Sequence, residues 1–121
     1  VCNIINKVKG PFNTTSLAQN LAILALKDQE HIDNVVKSNF EIKSWFENEL
    51  KKLALKTRPS EGNFSFVEVT EQKAKEIANH LMSSGILVRQ LDSYNLAHCL
   101  RISIGTKKEM EATINSIKNI K

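Results

Sequence analysis

Hydrophobic and polar positions change period along this chain, and each change marks an element. In VCNIINKVKGP the apolar residues Val1, Ile4, Ile5 and Val8 have helical spacing, with no N-cap in front of them. Gly10-Pro11 then stops the helix, because glycine suits the position after a helix end and proline cannot continue the ladder. Asn13, Thr14, Thr15 and Ser16 offer N-caps for a second helix, Thr15 to about Lys27, which is apolar on nearly every side (Leu17, Leu21, Ile23, Leu24, Leu26) and is therefore expected to be buried. A longer helix follows from about Gln29 to Leu53, with one stripe of Ile32, Val35, Val36, Ile42, Phe46, Leu50 and Leu53, flanked by Phe40 and Trp45.

The period then switches from helical to alternating. Arg58 to Gly62 is turn chemistry, a short strand fits near Leu55 to Arg58, and NFSFVEV sets Phe64, Phe66 and Glu68 against Ser65, Val67 and Val69. Thr70 caps a helix whose Ala74, Ile77, Ala78, Leu81 and Met82 form one stripe, and Gly85 ends it. Strand ILVRQ, loop LDSYNLAH and strand CLRISI come next. Thr106 and Glu109 then fit the capping box of a last helix carrying Met110, Ile114 and Ile117. The order α-α-α-β-α-β-β-α predicts an α+β fold, a small mainly antiparallel sheet with helices packed on one face.

Composition narrows the function classes. A chain of 121 residues with 41% hydrophobic and 25% charged residues is long enough for one domain with a core. Its longest apolar run, Leu21 to Leu26, is far short of a bilayer span, so no membrane partner is expected. The net charge is +4, but lysines and glutamates alternate through residues 31–52 as on a solvated helix face. With aromatics at 6% and no glycine-aromatic RNA-binding signature, no nucleic-acid partner is expected. Cys2 and Cys99 have neither metal nor redox spacing and fit a reducing cytoplasm, with Cys99 a small apolar filler. His31, His80 and His98 lack ligand spacing and read as surface or helix-end residues. The uncapped first helix and the absence of an initiator methionine are read as marks of a C-terminal piece of a longer protein.

Two arginines stand out. Alternation in CLRISI sends Leu100, Ile102 and Ile104 to one face and Cys99, Arg101 and Ser103 to the other. In a hairpin symmetric about Asn95, Arg89 and Arg101 are each six residues from the centre and oppose one another. Like charges directly opposed across strands repel, unless each finds an acidic partner on the sheet face or an anion lies between them. Spacing leaves both arrangements open.

In order along the chain, KVKGPFNTTSLAQ, SEGNF, GILVRQL and LAHCLRISIGT resemble the C-terminal part of histidinol-phosphate aminotransferases, a branch of the fold-type-I pyridoxal-phosphate enzymes. The resemblance covers essentially the whole chain. It implies that residues 1–10 end a helix of a missing upstream large domain and that residues 11–121 form the C-terminal small domain. It assigns Arg101 to the substrate carboxylate, and Arg89 with Arg101 to the phosphate of histidinol phosphate. The implied substrates are a phosphorylated amino alcohol and a dicarboxylic acid, glutamate or 2-oxoglutarate, and the implied full-length enzyme is a homodimer. The PFNTTS segment would lie near the subunit interface, which makes Asn13 a weak site candidate beside its N-cap reading. Tyr94 in the hairpin loop is a weak candidate for the pocket wall, beside a simple packing role. The family's cofactor, pyridoxal phosphate, is held in the full-length enzyme by the lysine of an upstream Ser-x-Lys stretch followed by a glycine-rich segment. No such stretch occurs here, so the chain by itself is expected to bind no cofactor and to be inactive. The alternatives are the small domain of a related aromatic aminotransferase, that of a phospho-amino-acid decarboxylase, and a non-catalytic anion-binding α+β module.

Overall fold

The computed structural model describes residues 2–8 and 14–120. Helix α1 (Cys2–Val8) precedes α2 (Ser16–Lys27), whose N-cap is Thr15, with its hydroxyl accepting from the Ala18 N–H at 3.2 Å. Asp28 ends α2 and begins α3 (Gln29–Lys52), taking the His31 N–H on its carboxylate at 3.1 Å. After α3 come β1 (Lys56–Arg58) and β2 (Phe64–Glu68), then α4 (Glu71–Ser83), β3 (Arg89–Leu91), β4 (Leu96–Ser103) and α5 (Lys107–Lys118). All strand pairs are antiparallel, in the spatial order β1-β2-β4-β3, so the expected α+β architecture is the observed one.

The chain divides into two units, Val1–Val35 and Val36–Lys121, and the sheet belongs to the second. In the second unit Phe46 and Leu50 of α3, Ala74, Ile77 and Leu81 of α4, and Met110, Ile114 and Ile117 of α5 cluster with Val67, Leu100 and Ile102 from one sheet face. Alternation explains the choice of face: Val67 of β2 and Leu100 and Ile102 of β4 alternate with Phe66, Arg101 and Ser103. Thr106 and Glu109 form the expected capping box, and Thr70 caps α4.

Several sequence-based expectations are corrected. Helix α2 is not buried: it has no buried residue, and Leu26 is 72% exposed. A helix apolar on every side needs cover on every side, and the described residues of its own unit do not supply it. The α3 stripe is buried only in its second half, where the sheet lies against it; Val35 and Val36 are exposed. Met82 is 55% exposed, because it lies about 80° round the helix from Ala74 and clears the sheet. The expected strand over residues 86–90 shortens to β3, since the Ile86 N–H is committed to the Leu81 carbonyl at 2.9 Å, closing α4 through Gly85 at φ +77. The expected loop over 91–98 contracts to a 3-10 turn at Asp92–Tyr94 plus Asn95 at φ +58, which places His98 inside β4.

Candidate functional site

The face of the sheet opposite α4, α5 and the second half of α3 carries the candidate residues. Register partners point to the same side of a sheet, and Arg58 of β1, Phe66 of β2, Arg101 of β4 and Arg89 of β3 are partners in succession. One row crossing all four strands therefore holds three arginines and a phenylalanine. Arg89 and Arg101 are directly opposed, as the hairpin symmetry predicts. Their α-carbons are on adjacent strands, whereas Arg58 is two strands from Arg101, about 10 Å away.

The arginines differ in their partners. Arg58 donates from Nε to Glu68 Oε2 and from Nη2 to Glu68 Oε1, both at 2.9 Å, a bidentate pair along β1 and β2. Lys56 adds a second cation at 3.7 Å. The hydrogen bonds from Arg58 outweigh the carboxylate's partial loss of solvent and hold Glu68 down to about 2. Arg89 and Arg101 are exposed, and among the described residues neither makes an ion pair or a side-chain hydrogen bond. The acidic partners that would have explained the two arginines structurally are therefore not found among those residues. Arg101 instead sits over the ring of Phe64, 5.6 Å from its centroid.

Around this row, Cys99 is fully buried although alternation places it on the arginine face, and burial pushes its thiol up, which weakens it as a nucleophile. Tyr94 stands 62% exposed at the hairpin tip, beyond a register irregularity between Gln90 and Leu91 that separates the tip from the arginine pair. Asn13 lies outside the described residues. His31 is exposed and His80 is in the last turn of α4. Sequence reasoning puts Arg58 in a turn or at the end of a short strand, reads Phe64 only as a strand start with a core aromatic, and does not single out Glu68; Phe64 is instead half-buried on the arginine face. The signal was present in the alternation of β2, which puts Phe64, Phe66 and Glu68 on one side, but the order β1-β2-β4-β3 was needed to bring that side beside Arg101.

This arrangement is a cationic strip across one sheet face, with one arginine neutralised and two that have no acidic partner among the described residues. The family model for aminotransferase class I and II matches residues 1–117, and the chain belongs to that family. It is 36% identical over 120 residues to a histidinol-phosphate aminotransferase of Akkermansia muciniphila, covering 99% of this chain and 32% of that one. Against a histidinol-phosphate aminotransferase of Geotalea daltonii it is 39% identical over 120 residues, with 99% and 35% covered. Among solved structures it matches the histidinol-phosphate aminotransferase of Sinorhizobium meliloti in complex with pyridoxal-5'-phosphate, with a TM-score of 0.88 and 25% identity over 98% of this chain and 33% of that one. The histidinol-phosphate aminotransferase of Clostridium acetobutylicum shares the fold, with a TM-score of 0.80 at 20% identity over 96% and 36% of the two chains. The chain thus spans about a third of the length of the curated relatives it matches.

Proposed function

We propose that this chain is the C-terminal small domain of a histidinol-phosphate aminotransferase, and that Arg89 and Arg101 are its substrate anion clamp. The observation that carries the reading is the opposed pair, with no acidic partner among the described residues, on the open sheet face of a chain from this family. A guanidinium group offers a planar N–H fork, and two of them on adjacent strands suit the phosphate of histidinol phosphate and equally a carboxylate of glutamate or 2-oxoglutarate. One cationic site then serves both half-reactions. Arg58 does not join it, because Glu68 already occupies its fork.

In this reading residues 1–10 end a helix of an upstream large domain, the whole enzyme is a cytoplasmic homodimer, and the relatives' names support histidine biosynthesis as its setting. Pyridoxal phosphate, when bound in such an enzyme, carries the amino group and takes up the electrons released at the substrate carbon. The described residues of this chain do not fit that cofactor. Lys43, their one buried lysine, gives its ammonium to the carbonyls of Ser60 and Gly62, and the others are exposed or, like Lys73, ion-paired. The groups that hold the cofactor are therefore assigned to sequence outside this chain, and the role left to these residues is to bind and orient the substrate anion.

Titrating inorganic phosphate into the labelled chain, with the arginine Nε–Hε signals followed by NMR, tests the clamp. Signals of Arg89 and Arg101 are expected to move together and saturate, and Arg101→Ala is expected to remove the effect. Unchanged phosphate affinity in Arg101→Ala overturns the reading.

A further inference from the structure

We infer that the Phe64 ring, seated on Gly62, is the platform that orients Arg101, which makes Phe64 a positioning residue of the site. This rests on the anion-clamp reading and extends it to residues that touch no substrate. A guanidinium on an exposed strand has many rotamers, and holding it in one reduces the entropy lost when an anion binds. The Arg101 guanidinium carbon lies 5.6 Å from the Phe64 centroid, within cation–π range.

The platform is itself supported from beneath. A β-carbon added at Gly62 would fall 2.6 Å from Phe64 Cε1 and 3.0 Å from Cδ1, so the ring occupies the space that a side chain at 62 would fill. Gly62 is held in turn. Its N–H donates to the Ser60 hydroxyl at 3.2 Å, and the buried Lys43 ammonium of α3 binds the carbonyls of both Ser60 and Gly62. The ends of β2 and β4 are tied by the Ile104 N–H to the Asn63 carbonyl at 2.8 Å, and the Ser65 hydroxyl donates to Glu47 at 3.0 Å. A chain of contacts thus runs from Lys43 through the turn to Phe64 and on to Arg101. Arg89 has no such support among the described residues, so the two arginines are unequal, one seated on a ring and one without a seat there.

The test uses the full 121-residue chain and inorganic phosphate. Phe64→Leu removes the aromatic face while keeping an apolar side chain, Phe64→Tyr keeps the face, and Gly62→Ala leaves Phe64 in place but displaces its ring. The ring current should hold the Arg101 Hε signal upfield in the parent and in Phe64→Tyr, and the signal should return toward its free position in Phe64→Leu and Gly62→Ala. Phosphate affinity should fall roughly two- to five-fold in those last two, the range set by an exposed cation–π contact, and remain at the parent level in Phe64→Tyr. If Arg101→Ala abolishes phosphate binding while Phe64→Leu and Gly62→Ala keep the parent affinity and shift, the platform is wrong and the clamp stands. If Arg101→Ala leaves binding intact, the clamp itself fails. Should Phe64→Leu not fold, the contrast between Gly62→Ala and Phe64→Tyr decides alone, because the Gly62→Ala clash falls on a ring that swings aside rather than on backbone.

Discussion

Arg89 and Arg101 face each other across β3 and β4, and no carboxylate among the described residues is paired with either. Two like charges in register work against the hairpin that holds them. Arg89→Gln should therefore stabilise the phosphate-free chain by about 0.2–1 kcal/mol in denaturant unfolding. Millimolar phosphate should raise the melting temperature of the parent and leave Arg89→Gln nearly unmoved, because only a ligand bound to the folded state stabilises it.

Glu68 carries the pH dependence of this face. Its carboxyl is held down to about 2 by the Arg58 hydrogen bonds, from an ordinary value of 4.5. A depressed folded-state value means that its stabilisation is complete above about pH 4.5 and is lost as pH falls from there through about 2. Stability curves for the parent and Glu68→Gln should therefore be separated at neutral pH and converge over that acid window. Glu68→Gln should also free Arg58 to join the row, so phosphate affinity should rise about three-fold at low salt and lose that gain at high salt.

Leu100, with no exposed surface, is the inward neighbour of Arg101, and the cluster beneath it has contributions from three helices. Leu100→Ala should cost about 2–5 kcal/mol of unfolding free energy. Thr106→Ala breaks the reciprocal cap at the start of α5 and should cost about 1 kcal/mol. Chemical denaturation monitored by circular dichroism measures both.

The two cysteines should separate cleanly in a thiol-labelling time course. Cys2 is exposed and Cys99 is buried, with its thiol raised by loss of solvent. One equivalent should react at once, and the second only at the rate at which β4 opens.

Much of this was legible from residue order. The caps at Thr15, Thr70 and Thr106, the stop at Gly85 and the two-residue period of β2 and β4 are local signals, and each appears in the structure. Symmetry about Asn95 predicts the opposition of Arg89 and Arg101, which is observed, although the tip pairs Leu91 with Leu96 and it is the shift between Gln90 and Leu91 that sets the arginine register. Burial was harder to read. Apolar content predicted a buried α2, yet burial depends on what surrounds a helix and not on the helix alone. The Arg58–Glu68 pair and the Phe64 contact were illegible for a related reason: Phe64 and Arg101 are distant in sequence and meet only because β2 and β4 are neighbours.

The irregularity between Gln90 and Leu91 bears on how such a site survives sequence change. Register runs undisturbed from Arg89 and Arg101 to Gln90 and Leu100, and the slip falls only on the side toward the tip, where Leu91 meets Leu96. Side-chain exchanges at 92–94 leave the turn backbone, and with it the arginine register, in place, whereas Asn95 at φ +58 favours asparagine or glycine. The tip can thus change its side-chain chemistry at three positions while the paired charges keep their spacing.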